Sequence, residues 1–227
     1  MEFMRKTALS DLNSRLHNLI FWKKSPQEQE PDSQGPLFLI IGLGNPGREY
    51  RDTRHNVGFM VLDRLADDLG IKMSRVQNKA ITGSGMLEGT RIILAKPQTF
   101  MNLSGGPVGG LVRFYKVPLN QMMVIHDDLD LAFGTLRIRP GGGSAGQKGI
   151  QSIINSLGNQ GFPRMRVGIG RPSGSKQGAS YVLQGFSTLE RKELDFILEG
   201  ASAAVRLYIT DSLEMAMNRY NGFQGEE

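Results

Sequence analysis

Four side chains that can do acid–base or hydrogen-bonding chemistry follow strand-like segments of this sequence. His55 and Asn45 come after the apolar run 37–41, Asn102 comes after a second such run, and Asp127 comes after a third. The carboxyl ends of parallel strands meet at one edge of an open α/β sheet. We therefore expect these polar groups to converge on one site at that edge.

A histidine paired with a carboxylate can act as a general base near neutral pH. We expect Asp127 to bind one ring nitrogen of His55, so that the other nitrogen can take a proton from a nucleophile. His126 also lies near a strand end, but more polar side chains are expected near His55. The chain has no cysteine, so no thiolate nucleophile is available, and water is the more economical nucleophile. A serine nucleophile remains an alternative, although Ser104 is better interpreted as a helix N-cap.

Two other chemistries are weakly supported by local motifs. Residues 42–47 satisfy G-x-G-x-x-G, but Pro46 and the polar stretch after Gly47 postpone the helix that a dinucleotide site requires. The acidic stretch 126–130 could suggest magnesium, yet adjacent acids on a strand end point in opposite directions. We expect neither a cofactor nor a metal, and we assign Asp128 and Asp130 to turn formation.

The elements that must position these residues alternate along the chain. Apolar runs predict strands at 37–41, 80–87, 91–96, 123–125, 135–139 and 164–170. Amphipathic spacing predicts helices at 57–69, 104–115, 147–157, 188–209 and 213–221. This order predicts a single α/β domain over residues 37–227, with a twisted, largely parallel mixed sheet flanked by helices on both faces.

An extension precedes this predicted domain. Residues 1–24 carry leucines at spacings of three and four, which predicts a short basic amphipathic helix, and the polar stretch 25–36 is typical of a flexible linker. We expect a cytoplasmic protein without a membrane span. An organelle is the alternative if the extension is a targeting segment.

The formal net charge of +5 belongs to the predicted domain, because residues 1–36 carry five basic and five acidic side chains. Basic residues cluster around the glycine-rich loop 141–146. They are Arg137, Arg139, Lys148, Arg164, Arg166 and Arg171. Such a cluster suits a nucleic-acid backbone, since glycine loops let backbone amides approach phosphates. Ordinary exposed arginines are the alternative interpretation.

Five motifs in register together resemble the bacterial-type peptidyl-tRNA hydrolase family. They are GLGNPGREYRDTRHNVG, KPQTFMNLSG, IHDDLDL, RPGGGSAGQKG and RMRVGIGRP, and the resemblance covers roughly residues 37–223. It implies a monomeric hydrolase without cofactor or metal. Such an enzyme cleaves the ester between a peptidyl group and the terminal ribose of tRNA, and so recycles tRNA from aborted translation.

The resemblance also implies a role for each matching residue. His55 would activate water and Asp127 would hold it in its basic form. Asn45 would position the peptide, and Asn102 would donate to the carbonyl where negative charge develops. The residues expected to contact substrate or tRNA are Tyr50, Phe100, Met101, Asn102, Lys148, Arg139 and Arg166, the last two at the 5′ phosphate of the acceptor stem.

One departure from the family pattern concerns the segment after the glycine loop. The family usually has His-Asn-Gly there, whereas this chain has Gln147-Lys148-Gly149. An ammonium group donates hydrogen bonds but cannot accept one as an amide can. We expect an altered grip on the substrate with the chemistry retained. The alternative is a catalytically weak RNA-binding protein of the same fold that acts in RNA processing.

Overall fold

The computed structural model describes residues 35–171 and 178–222. The helix predicted over residues 1–24 lies outside the described residues, as does the predicted linker except for residues 35 and 36. The domain boundary at residue 37 therefore stays a prediction. Within the described ranges, none of the helices has the length and apolarity needed to cross a membrane.

The strands form one seven-stranded mixed sheet in the order β2-β3-β4-β1-β5-β7-β6. Their bounds are Leu37–Gly42 (β1), Arg75–Gln77 (β2), Ala80–Leu87 (β3), Thr90–Pro97 (β4), Met122–Asp128 (β5), Leu136–Arg139 (β6) and Arg164–Gly168 (β7). The central strands β4, β1, β5 and β7 are parallel, and the outer pairings are antiparallel. The parallel strands therefore end at the same edge of the sheet. The predicted fold class is confirmed.

Helices cover both faces of the sheet. Their bounds are Val57–Asp68 (α1), Gly105–Tyr115 (α2), Lys148–Leu157 (α3), Gly178–Tyr181 (α4), Thr188–Thr210 (α5) and Leu213–Tyr220 (α6). Side chains alternate along β1, so Ile40 packs with α1 and α5 while Leu39 and Ile41 pack with α2 and α3. Each face thus has its own apolar core.

Two glycines let α1 begin directly against the ends of β1 and β5. A Cβ atom on Gly42 would lie 2.2 Å from the carbonyl oxygen of Gly58, and one on Gly58 would lie 2.4 Å from the carbonyl oxygen of Ile125. Only glycine permits this approach. It brings His55, just before α1, to the end of β5, where Asp127 lies.

The structure differs from the sequence-based prediction at a few elements. β5 continues through Asp128, so Asp127 lies within the strand and not beyond it, because β7 extends the ladder to the pair Asp128–Gly168. The short elements β2 and α4 were not predicted. β2 has only three residues, of which Arg75 and Val76 are exposed, so it carries no apolar pattern to detect.

Candidate active site

A cavity of about 620 Å³ lies at the edge where the parallel strands end. Seven of the residues predicted from the sequence line it, namely Asn45, His55, Phe100, Met101, Asn102, Asp127 and Lys148. Tyr50, Arg139 and Arg166 do not. The loops after β1 and β4 and the end of β5 supply most of these side chains, which is the convergence expected from the strand order.

His55 and Asp127 form a hydrogen-bonded pair in this cavity. The distance from His55 Nδ1 to Asp127 Oδ2 is 2.7 Å, and the two side chains are 14% and 3% exposed. A buried carboxylate accepts a hydrogen bond, so the Nδ1 position carries the proton and Nε2 keeps its lone pair. The geometry can therefore support a general base whose free nitrogen is Nε2.

Gln147 fixes the other oxygen of the same carboxylate. Its Nε2 donates to Asp127 Oδ1 at 3.1 Å, while its Oε1 accepts from the backbone N–H of Ile150 at 2.8 Å and so caps α3. The cap fixes the orientation of the amide, since a flipped amide would present its NH₂ group to the backbone N–H of Ile150 and lose that hydrogen bond. The sequence places Gln147 at the start of a predicted helix, but nothing in it indicates that this residue reaches Asp127.

Asn45 is held by hydrogen bonds on three of its groups. Its Oδ1 accepts from the backbone N–H of Met101 at 2.8 Å, and its own N–H and C=O bind the side-chain amide of Asn56 at 2.8 and 2.9 Å. With Oδ1 occupied, the group that Asn45 can offer to a ligand is the Nδ2 donor. Asn56 was not identified from the sequence.

Arg54, next to His55, is a buried arginine that ties the site to the C-terminal half of the chain. Its Nη2 lies 2.7 Å from Glu190 Oε2, its Nη1 donates to the carbonyl of Gly185, and its guanidinium lies 4.3 Å from the ring centroid of Tyr181. Burial raises the pKa of Glu190, but hydrogen bonds from Ser187 and Arg54 outweigh this effect and leave that pKa below its usual value.

The same segment also holds the backbone of His55. The N–H of His55 donates to the carbonyl of Val182 at 2.8 Å, and the N–H of Arg54 donates to that of Gln184 at 3.0 Å. Val182 and Leu183 in turn line the cavity. The wall of the cavity and the base therefore share one set of contacts, which sequence reasoning could not find because the partners are more than 120 residues apart.

The aromatic residues predicted to contact substrate take two different positions. Phe100 is 57% exposed and lines the cavity. Tyr50 packs edge-on against Phe100, with the ring centroids 6.5 Å apart, and does not itself line the cavity. Its contact with substrate therefore stays a prediction, and the ring reaches the cavity lining only through its packing on Phe100. Asn102 is exposed and lies on a 3₁₀ turn, Met101–Leu103.

The basic residues of β6 and β7 share one face of the sheet. The register pairs Arg137 with Arg166 and Arg139 with Arg164. Arg139 is exposed, whereas Arg164 is only 3% exposed and donates to the carbonyls of Gly143 and Gln160. The interpretation of Arg164 as part of an exposed basic face is wrong, since its guanidinium instead supports the glycine-rich loop.

Two polar residues predicted to be structural, Asp128 and Ser104, also have defined partners. Asp128 accepts from the N–H of Asp130 at 2.8 Å, which confirms the predicted turn, and pairs with Arg166. Ser104 occupies the N-cap position of α2, but its hydroxyl donates to the carbonyl of Met101, so the predicted capping bond is absent.

His126 is a buried residue of β5. It is 3% exposed, and its Nδ1 lies 2.8 Å from the carbonyl oxygen of Asp127. Burial lowers the pKa of His126, and this effect outweighs the nearby carboxylates of Asp127 and Asp128, which raise it. We interpret His126 as a structural residue, and of the two histidines in the described ranges His55 is the one that lines the cavity.

Residues 35–171 and 178–222 contain no group of three or more His, Asp or Glu side chains placed to hold a metal ion. G-x-G-x-x-G does not form a dinucleotide turn either, because α1 begins only at Val57. The expected independence of metal remains a prediction for experiment.

The family model, the relatives and the solved structures most similar to this chain all belong to one family. Residues 39–227 match the family model described as peptidyl-tRNA hydrolase. The chain is 48% identical to a chloroplastic peptidyl-tRNA hydrolase of Arabidopsis thaliana over 87% of this chain and 68% of that protein. It is 52% identical to a peptidyl-tRNA hydrolase of Rhodococcus opacus over 80% and 96%. The crystal structure of peptidyl-tRNA hydrolase from Acinetobacter baumannii superposes with a TM-score of 0.79 at 34% identity, covering 84% of this chain and 97% of that one.

Proposed function

Because the chain belongs to the peptidyl-tRNA hydrolase family and acts as a peptidyl-tRNA hydrolase, we propose that His55 activates the water molecule that cleaves the ester between the peptide and the tRNA. The observation that carries this proposal is the 2.7 Å pair of His55 Nδ1 and Asp127 Oδ2 at the cavity. The pair leaves Nε2 as the basic nitrogen, and the cavity also contains amide donors.

In the proposed reaction, His55 Nε2 takes a proton from water as the water oxygen attacks the ester carbonyl carbon. Negative charge develops on the carbonyl oxygen, where the side-chain amide of Asn102 is the proposed donor. The Asn45 Nδ2 group is proposed to bind a carbonyl of the peptide. Collapse then breaks the bond to the ribose oxygen, which takes the proton back from His55, and a peptide acid and free tRNA result.

The direct test is release of N-acetyl-amino acid from N-acetyl-aminoacyl-tRNA, with EDTA present and unblocked aminoacyl-tRNA as the control. We expect release from the blocked substrate alone. Tight tRNA binding without release would contradict the proposed chemistry. It would favour the RNA-binding alternative and point to Lys148, which lines the cavity as the first residue of α3.

We expect Arg54→Lys to lower kcat by about 10- to 100-fold with KM little changed. A lysine keeps the positive charge but cannot reproduce the planar fork that binds Glu190 and two backbone carbonyls together. The backbone of His55 would then shift relative to the cavity wall. Steady-state kinetics on N-acetyl-aminoacyl-tRNA, with a melting curve for each variant, measure the effect.

The matched control for this substitution is Arg91→Lys, because Arg91 lies near the start of β4, at the sheet edge opposite the cavity. It should leave kcat unchanged. If Arg54→Lys only lowered the melting temperature and kept full kcat at a temperature where it is folded, Arg54 would be structural and not a positioning residue.

We propose that Arg139 of β6 and Arg166 of β7, which we call the arginine face, bind the acceptor stem of tRNA. Arg139 is exposed, and Arg166 is partly exposed beside Asp128. Replacing both with alanine should raise KM, leave kcat nearly unchanged and flatten the dependence of log KM on log salt by about one unit per lost phosphate contact. Kinetics from low to moderate salt measure the slope.

The control pair is Arg75→Ala with Arg91→Ala. It removes the same charge from β2 and β4, which lie at the opposite end of the strand order from β7 and β6. An unchanged salt slope for the Arg139 and Arg166 variant, or an equal change for the control pair, would remove these residues from the phosphate contact. Net charge alone would then explain any shift in KM.

We further propose that the chain acts as a monomer in the cytoplasm. Every side chain of the proposed catalytic set comes from one copy of the chain, so the site needs no second subunit. An organelle is the alternative compartment, since two plant relatives are named chloroplastic and mitochondrial. Colocalisation of the full chain with an organelle marker would decide for that alternative.

A further inference from the structure

A second cavity, of about 600 Å³, adjoins the site at Asn45. We call it the second groove. Asn45 lines both cavities, and its neighbours Pro46 and Gly47 line the second groove. The apolar part of its lining comes from the loop after β1, from α1, from β3 and from the chain at and before α5, namely Pro46, Phe59, Met60, Ile81, Phe186, Leu194 and Leu198.

The strand order places the second groove away from the arginine face. Its sheet residues, Ile81 and Lys96, belong to β3 and β4, whereas the arginine face belongs to β7 and β6. The strands β1 and β5, which end at the proposed catalytic residues, lie between these two regions. A substrate whose ester lies at His55 and whose RNA extends over β7 and β6 would therefore direct its other end toward β4 and β3.

The charges of the second groove do not favour a nucleic-acid backbone. Four acidic and four basic side chains line it, namely Asp52, Asp63, Asp67 and Asp195 with Arg51, Arg64, Lys96 and Arg191. Several basic groups are already paired with carboxylates, among them Lys96 with Asp63 and Arg51 with Asp52. A surface of mixed sign with an apolar floor lacks the excess of positive charge that phosphates require. It suits a chain of mixed polar and apolar side chains.

We propose that the second groove binds the peptide part of peptidyl-tRNA beyond the residue that forms the ester. This inference rests on the proposed function. Asn45 lies where the two cavities meet, and with its Oδ1 bound to Met101 it offers an amide donor to a passing peptide carbonyl. The volume of the second groove lies within the range of about 300–1,000 Å³ that is usual for ligand sites.

The test compares two substrates that share the same tRNA and the same esterified residue. One is N-acetyl-aminoacyl-tRNA, and the other carries a pentapeptide. Leu194→Trp should fill the groove and lower kcat/KM for the pentapeptidyl substrate about tenfold while leaving the N-acetyl substrate within about twofold. Retained cleavage of the short substrate also shows that the variant is folded.

The matched control is Leu189→Trp, a residue of the same helix that is 72% exposed and does not line the groove. It should affect neither substrate. Met60→Trp fills the groove from α1 and should reproduce the selective loss. Equal losses on both substrates, or no loss with either filling variant, would overturn the inference. Failure of the unaltered chain to cleave even the N-acetyl substrate would overturn the proposed function itself.

Discussion

His55→Ala is expected to lower the rate of peptidyl-tRNA cleavage by about 10²- to 10⁴-fold, the usual contribution of a general base. The substitution removes the imidazole whose Nδ1 binds Asp127 Oδ2 and whose Nε2 is the proposed base. It should leave tRNA affinity nearly unchanged, because the proposed phosphate contacts come from the arginine face on β6 and β7. The melting temperature is expected to change little, since the side chain lies at the cavity wall.

Single-turnover cleavage and tRNA binding should be measured side by side for this variant. Added imidazole gives a further test, because it can enter the space left by the His55 side chain. Partial recovery of the rate by imidazole would support the role of a base. Equal losses of affinity and rate, with no recovery, would instead assign His55 to substrate binding.

Asp127→Asn is expected to lower kcat on the order of 10³-fold, nearly as much as His55→Ala. Both carboxylate oxygens of Asp127 accept hydrogen bonds, one from His55 and one from Gln147. An asparagine has a single carbonyl oxygen, so it can satisfy only one of these donors. If that oxygen turned to Gln147, the amide would donate to His55 and stabilise the wrong tautomer.

Asp127→Asn and Gln147→Ala are expected to combine less than multiplicatively. Gln147→Ala alone removes one hydrogen bond to Asp127 and should cost about tenfold or less. In the double variant, the asparagine oxygen is free to face His55, so the combined loss in kcat should be smaller than the product of the two single losses. A double-mutant cycle of kcat measures the coupling. Purely multiplicative losses would show that Gln147 does not determine the orientation at position 127.

Much of the fold could be predicted because its signals are local. The run 37–41 is apolar on both sides of the chain, as a central parallel strand requires, and it became β1. The amphipathic stretch after Asn56 became α1, and its bounds were close to those expected. β2 escaped prediction because a short exposed edge strand has no apolar periodicity, and its pairing with β3 is what defines it.

Some candidate residues of the site could also be predicted, because their positions at strand ends are local signals. Asn45, His55 and Asn102 lie just beyond or near predicted strand ends, and strand ends in a parallel sheet share an edge. Chemistry that depends on distant partners was not found. Gln147, Asn56 and Arg54 are common polar residues, and only their contacts with Asp127, Asn45 and Glu190 show what they position.

The sequence by itself determined the alternation of strands and helices, the polar residues at strand ends and, through its motifs, the family. These features depend on residue type and on spacing within short segments. Only the tertiary structure decided which groups are hydrogen-bonded, which arginines are buried and where a second groove lies. Those properties arise from contacts between residues far apart in the chain, such as Arg54 with Glu190, and no local pattern specifies them.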